Sequence, residues 1–344
     1  SQQVAIKGAL DTEYTGGALR LVRFVVISTF VLEACGCLSL FIHLLPEMPS
    51  IKTAFFTSVF HSISAFCNAG FSIFRNNLVD YQTDLVVNLT ITFLIILGGL
   101  GFPVLANLYG LTVRLFNTER MEKATLHTKL VLFITAPLIA CGLALFCFFE
   151  YNNCLAHLSF PDKLMVSYFQ VVTPRTAGFN TVDIGSLTSP TYLLLMFLMF
   201  IGGSPGSTAG GIKTVTAGVI AVTLYAMLRG KDDVEILGRT IPRRTVQRAV
   251  SIVTIATLVV ILASMTLLYT EKESFEVIVF EIFSAFGTVG LSAGLTPNLT
   301  DVGRLLITAL MFIGRVGPLT IALAVSMAPP PVRIKFPEER VLVG

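Results

Sequence analysis

The sequence predicts an all-α integral membrane protein assembled from a repeated unit of helix, re-entrant pore loop and helix. Three observations carry this prediction. Of 344 residues, 54% are hydrophobic and only 13% charged, with a mean hydropathy of +0.79, whereas a soluble domain carries roughly a quarter charged residues. Apolar runs alternate between those long enough to span a bilayer and those that are not. Each short run ends in a similar glycine-bearing stretch. The same composition excludes an ordinary cytosolic enzyme, a disordered chain and a nucleic-acid binder, and a net charge of +3 is too small to argue for a polyanionic partner.

The chain opens Ser-Gln-Gln-Val without a methionine or signal peptide, so residues 1–20 read as a polar cytoplasmic lead-in that further sequence is expected to precede. Long runs cover Leu21 to Leu45, Leu85 to Val113, Leu130 to Phe149, Thr191 to Leu228, Ala249 to Tyr269 and Leu305 to Met327. Short runs from Ala54 to Phe66, Leu164 to Val172 and Phe275 to Phe286 fall short of the ~20 residues a span requires and suit re-entrant pore helices. The order long, short, long occurs three times, dividing the chain into pore repeats at 21–113, 114–228 and 229–327 and a cytoplasmic tail at 328–344. Most of the 24 basic residues fall on one side: Lys7, Arg20, Arg23, Arg114, Arg120, Lys123, Lys129, Arg229, Lys231, Arg239, Arg243, Arg244, Arg248, Arg333, Lys335 and Arg340. The positive-inside rule makes that side cytoplasmic and the hairpins external.

The short runs lead into Asn68-Ala69-Gly70, Thr176-Ala177-Gly178 and Thr288-Val289-Gly290, with glycines 108 and 112 residues apart. Irregular backbone at membrane depth has to line water or an ion path, because each unpaired amide or carbonyl costs several kcal/mol in lipid. Carbonyls can replace the water shell of a cation, and glycine permits the required backbone. No acidic residue lies in the three triplets, which favours carbonyls over a carboxylate ring. Small residues also serve close helix packing, but packing alone does not account for the short helix before each glycine.

The run from Thr191 to Leu228 is interrupted by Gly202-Gly203-Ser204-Pro205-Gly206-Ser207-Thr208-Ala209-Gly210-Gly211, which no helix survives. Such a segment at mid-membrane belongs against a pore, and its flexibility suits a gate. The corresponding helices are weakened at Gly98-Gly99-Leu100-Gly101-Phe102-Pro103 and Gly314-Arg315-Val316-Gly317-Pro318. Arg315 lies deep in an apolar run, where a bare charge is costly. It is either a barrier to cations or a donor to carbonyls freed by the breaks, and the roles are compatible. Lys213 lies nearer the cytoplasm, where its ammonium is expected to snorkel.

Gly202-Gly203-Ser204-Pro205-Gly206 matches the hydrolase pattern G-x-S-x-G without a comparable inner histidine, and Lys213 does not directly follow Gly211 as a phosphate loop requires. Neither enzyme reading holds. Of the acidic residues, Glu33 lies inside an apolar run and Glu281 in a pore helix, where it is a structural acceptor or a source of negative potential. The six cysteines are scattered and give no disulfide framework or metal pattern. A secondary transporter with a central substrate site, coupled to or selective for Na+, is the alternative to a pore; that class usually has inverted repeats rather than same-direction repeats with outer hairpins.

The chain resembles the Ktr, Trk and HKT superfamily of potassium and sodium transporters, and within it the membrane subunits of bacterial Ktr systems. The resemblance rests on His61-Ser62-Ile63-Ser64-Ala65-Phe66 before Asn68-Ala69-Gly70-Phe71, on Arg175-Thr176-Ala177-Gly178-Phe179-Asn180, on Ser284-Ala285-Phe286-Gly287-Thr288-Val289-Gly290-Leu291, and on the terminal Phe336 to Gly344. It implies pseudo-fourfold repeats around one pore, of which this chain carries the second, third and fourth, the first being missing. It implies K+ at the backbone of Gly70, Gly178 and Gly290, since serine at the first-repeat glycine accompanies sodium transport in plant relatives. It further implies Arg315 beneath the filter beside the Ser204 to Gly211 loop, Na+ in activation or coupling, and a homodimer in the cell inner (plasma) membrane with the tail from Val341 to Gly344 at the dimer contact. A cytosolic RCK-type ring would bring any nucleotide control, for the chain itself has no nucleotide motif. The basic stretch from Arg229 to Arg248 holds topology, contacts anionic membrane lipid, or docks that ring.

Overall fold

A computed structural model of the chain describes residues 18–116, 124–231 and 233–317. The first unit contains α1 (Ala18–Leu44), α2 (Ile51–Phe66), α3 (Leu85–Leu100) and α4 (Phe102–Phe116). The second contains α5 (Leu126–Glu150), α6 (Phe160–Val172), α7 (Ser189–Phe200) and α8 (Thr214–Leu228), and the third α9 (Arg243–Thr270), α10 (Phe275–Gly287) and α11 (Asp301–Val316). The lead-in to residue 17, Arg120, Lys123, the run beyond Gly317, and the tail with its proposed dimer contact lie outside the described residues.

Length separates the first helix of each unit from the second, as their apolar runs predict. Each unit begins with a predominantly apolar span, of 24, 25 or 28 residues: Leu21–Leu44, Leu126–Glu150 and Arg243–Thr270. At ~1.5 Å per residue these cross a hydrocarbon core of ~30 Å. The second helices have 16, 13 and 13 residues and are too short to span. The Ser50 and Ser159 hydroxyls start α2 and α6 by accepting from the Thr53 and Asp162 amides. A 3-10 turn precedes the third helix in every unit, at Val79–Tyr81, Ile184–Ser186 and Thr296–Asn298.

Two long runs are not single helices. Leu85 to Val113, read as one weakened span, is α3 and α4 meeting at 103°, and α4 continues to Phe116. Gly101 at the corner has φ +89°, and Pro103 in the first turn of α4 cannot continue the preceding hydrogen-bond ladder. Thr191 to Leu228 is α7 and α8, with 201–213 between them outside any helix. Between α8 and α9 the basic segment forms a hairpin of β1 (Glu235–Ile236) and β2 (Arg239–Thr240), the one pair of strands among the described residues. Leu237 and Gly238 both have positive φ, as a two-residue hairpin turn of this kind requires.

The outer end of each first helix is tied to the start of its third. Glu150 accepts from the Thr188 amide (2.9 Å) and from the Thr188 and Thr191 hydroxyls (2.7 and 2.6 Å). Glu271 accepts from the Thr300 hydroxyl at 2.5 Å and the Thr300 amide at 3.2 Å. In the first unit the partners are exchanged, with His43 on α1 against Asp84, the N-cap of α3, at 2.6 Å.

The buried cores interlock around an axis. Leu40, Phe66 and Ile91 of the first unit pack with Phe169, Ala177 and Phe179 of the second, and Phe146, Leu195 and Met199 of the second pack with Phe280, Val289 and Leu291 of the third. The first and second units thus complete their cores with pore-helix and glycine-loop residues of the next. Phe30, Phe148, Leu193 and Leu305 point outward and exposed, which suits lipid rather than water. The molecule is an all-α, multi-pass membrane protein.

Candidate functional site

The three glycine loops leave the C-terminal ends of α2, α6 and α10 with one backbone pattern. Asn68, Thr176 and Thr288 have φ of +51°, +74° and +52°, and Gly70, Gly178 and Gly290 have +71°, +85° and +93°. Left-handed backbone is uncommon for residues other than glycine, and its recurrence at the first position of all three triplets marks a conformation imposed by the surroundings. The middle residue's amide bonds back to its own pore helix each time: Ala69 to Ser64 (2.9 Å), Ala177 to Thr173 (2.9 Å) and Val289 to Ser284 (2.8 Å). In a trans peptide the carbonyl opposes the N–H. The carbonyls of Asn68, Thr176 and Thr288 therefore face away from the pore helices.

The loops meet one another. A Cβ on Gly70 would lie 2.2 Å from the Ala177 carbonyl oxygen, and one on Gly178 would lie 2.2 Å from that of Val289, so only glycine fits at either place. At Gly290 the nearest atom to such a Cβ is the Gly178 Cα, 3.9 Å away. The Asn68 amide lies 3.3 Å from the Thr176 hydroxyl, joining the first positions of two triplets. Three helix C-termini, each carrying a partial negative charge, end around this space, which suits a cation. Arg175, just before the second triplet, is buried and lies with Ile95, Gly99 and Thr135 around a small cavity on the other side of that loop.

The segment 201–213 is laid across the inner side of the loops. It bonds to the α3 break through the Ser204 amide to Gly99 (2.9 Å), the Thr208 amide to Gly98 (3.2 Å) and the Phe102 amide to Gly206 (3.0 Å). It reaches the end of α2 through the Thr208 hydroxyl to the Phe66 carbonyl at 3.2 Å, and α11 through the Gly211 amide to Gly314 at 3.3 Å. A Cβ on Gly210 would meet the Thr288 hydroxyl at 2.1 Å, and one on Gly202 the Thr176 methyl at 3.2 Å. Arg315 donates to the Thr208 carbonyl. Ser204, fully buried, shares a 2.8 Å bond with Thr214 rather than with a histidine.

The structure brings Asn68, Ala69 and Gly70 together with Thr176, Ala177, Gly178, Thr288, Val289 and Gly290, and sets Gly202 and Gly210 against Thr176 and Thr288; Gly203, Ser204, Pro205, Gly206 and Thr208 lie instead along the α3 break, Ser207 bonds within the segment, and Gly211 and Arg315 join the segment to α11. One expectation is corrected: Lys213 does not snorkel toward the cytoplasm but folds back onto the Ala209 carbonyl at 2.7 Å. The loop leaves carbonyls free in an apolar region, and the nearest cation is drawn to them. Sequence reading also missed that Gly98 and Gly99 are the loop's anchor. Their break was visible, but its hydrogen-bond partners lie more than a hundred residues away.

The model of the TrkH family, described as a cation transport protein, matches residues 9–333. This chain belongs to that family. Over its whole length the TrkH-family chain is 41% identical to the Ktr system potassium uptake protein B of Bacillus subtilis and 38% identical to the potassium/sodium uptake protein NtpJ of Enterococcus hirae, covering 76% of each. It is 38% identical to the Ktr system potassium uptake protein B of Vibrio alginolyticus, covering 74% of it. The crystal structure of the potassium transporter TrkH from Vibrio parahaemolyticus shares its fold with a TM-score of 0.73 at 19% identity, over 94% of this chain and 68% of that one. These relatives are transport proteins of membranes, not enzymes.

Proposed function

We propose that this chain is the membrane subunit of a Ktr-type potassium uptake system that passes K+ over the backbone carbonyls of its glycine triplets. The observation that carries this reading is the convergence of Gly70, Gly178 and Gly290, with left-handed backbone at the same two positions of every triplet. Carbonyls that do not bond within the protein can take the place of a cation's water shell without a fixed charge that would hold the ion too tightly. The segment from Gly202 to Gly211, held by Arg315, acts as the gate: it closes the inner side, and the guanidinium adds a repulsive charge. The names of the two Ktr relatives, protein B of a system, support a further component beside this chain; that this component is a cytosolic RCK-type ring carrying any nucleotide response, and that the membrane subunit is a homodimer, follows from the family resemblance alone. The Enterococcus relative, named for potassium and sodium, supports Na+ in coupling or activation.

The test is isotopic K+ and Na+ flux into liposomes holding the full-length protein with its cytosolic partner, comparing wild type with Gly178→Ser. Flux that favours K+ and loses that preference in the variant is expected. Absence of cation flux with the partner supplied would move the assignment to a secondary transporter and turn the glycine loops into packing features.

A further inference from the structure

The pore helices carry a second set of equivalent residues behind the loops. Ser64, Thr173 and Ser284, which accept from the middle amides of the triplets, place the three units in register. Three residues earlier in each helix stand His61, Gln170 and Glu281. Each is buried, at 2%, 0% and 5% exposure, and each reaches a hydroxyl on the segment that runs outward from the filter glycine. The His61 Nε2 lies 2.9 Å from the Ser72 hydroxyl. Its Nδ1 lies 2.9 Å from the Thr57 carbonyl, which only a protonated Nδ1 can satisfy, so in the neutral ring Nε2 accepts. The Gln170 amide lies 3.1 Å from the Thr181 hydroxyl. With its oxygen on that side it also accepts from the Thr181 and Val182 amides at 2.8 and 3.3 Å. Glu281 accepts from the Ser292 hydroxyl at 2.9 Å and from that of Thr296.

An imidazole, an amide and a carboxylate at one position share a single capacity, that of accepting an O–H. Two of the three are neutral, so negative potential is not the common property. The hydroxyls they hold are structural themselves: Ser72 and Ser292 accept from the Phe74 and Gly294 amides, each at 3.1 Å, and so close the turn beyond the triplet. Each filter loop is thus fixed at its start by the bond from its middle amide and at its far end by this acceptor. We propose that His61, Gln170 and Glu281 are three equivalent positioning residues that set the separation of the filter carbonyls, and hence the preference among cations, by bracing the outward segments from behind. The proposal rests on the filter reading above.

The test is the K+ to Na+ flux ratio of the full-length protein with its partner in liposomes, for Gln170→Leu, Glu281→Leu and Glu281→Gln, with Gly178→Ser alongside. The leucine variants are expected to lower the ratio about fivefold each, the size of one net hydrogen bond, and Glu281→Gln, which keeps an acceptor, to recover most of it. If a leucine variant does not fold, Thr181→Ala for Gln170 and Ser292→Ala for Glu281 remove the donor hydroxyl instead and are expected to lower the ratio likewise. Leucine or alanine variants that keep the wild-type ratio while Gly178→Ser loses it overturn the proposal and leave the filter reading standing. Equal losses in Glu281→Gln and Glu281→Leu overturn it in favour of charge. A wild-type ratio in Gly178→Ser overturns both readings.

Discussion

At the scale of single residues, the three glycines of the proposed filter are not under equal constraint. Gly178 has φ +85° and no room for a Cβ, whereas Gly290 has φ +93° with open space beside it. Backbone forced from such a position costs of order 1–3 kcal/mol. Gly178→Ala should therefore abolish cation discrimination, while Gly290→Ala, strained only in φ, should reduce it; equal selectivity of the two variants in the flux assay would contradict the packing. Arg315 acts on a different part of the site. Its bond to the Thr208 carbonyl is charge-assisted, a class that contributes ~1.5–3 kcal/mol. Arg315→Gln should raise basal flux by about tenfold if most of that energy holds the gate shut, and an unchanged basal flux would remove this residue from the gate.

Among the elements, side-chain ties join the end of the first helix to the start of the third in every unit. In the third unit the Thr300 hydroxyl donates to Glu271 and accepts from the Gly303 amide at 3.1 Å, joining α9 to the start of α11. Thr300→Val removes the cap and the tie together, a loss of ~1–2 kcal/mol, and should lower the melting temperature in detergent. Burial pushes the Glu271 carboxyl up, but bonds from Thr300 and Thr270 outweigh it and hold the group below its ordinary value. The sign follows from linkage: the carboxylate's contribution is full above the ordinary carboxylate range and is lost as pH falls through the lowered value. Melting temperature should decline over that acid window in wild type and less so in Glu271→Gln; parallel curves would show that the tie carries no stability.

For the whole molecule, the repeats share one direction, and the positive-inside rule predicts that the glycine loops face outward and the basic hairpin faces the cytoplasm. Asn76 and Asn298 are exposed on the outer connections, and Lys231 and Glu235 are exposed at the hairpin. Single cysteines at these positions, in a background without the six native ones, should react with a membrane-impermeant thiol reagent from outside for Asn76 and Asn298 and only after permeabilisation for Lys231 and Glu235. The reverse labelling would invert the topology and put the gate on the outer side.

Much of this architecture was legible in the sequence because it depends on local properties. Run length separates spans from pore helices, and glycine and proline at 101–103 and 202–211 end helices wherever they stand. The recurrence of Gly70, Gly178 and Gly290 after short runs needed no coordinates either. The 103° corner at Gly101 was less legible, since a break announces itself without stating its angle. The partners were less legible, although the resemblance set Arg315 beside the Ser204 to Gly211 loop and Glu281 stood as a candidate structural acceptor. That Arg315 holds Thr208, 107 residues away, that Lys213 turns to Ala209 rather than to the cytoplasm, and that Glu281 is an acceptor for Ser292 and Thr296 all follow from where packed helices leave unpaired groups. Apolar length and backbone propensity are written into neighbouring residues, so the chain alone determined a repeated, membrane-spanning, loop-bearing fold. Which carbonyl faces which glycine is settled only when three distant loops are brought to one axis, and the tertiary structure alone decided that.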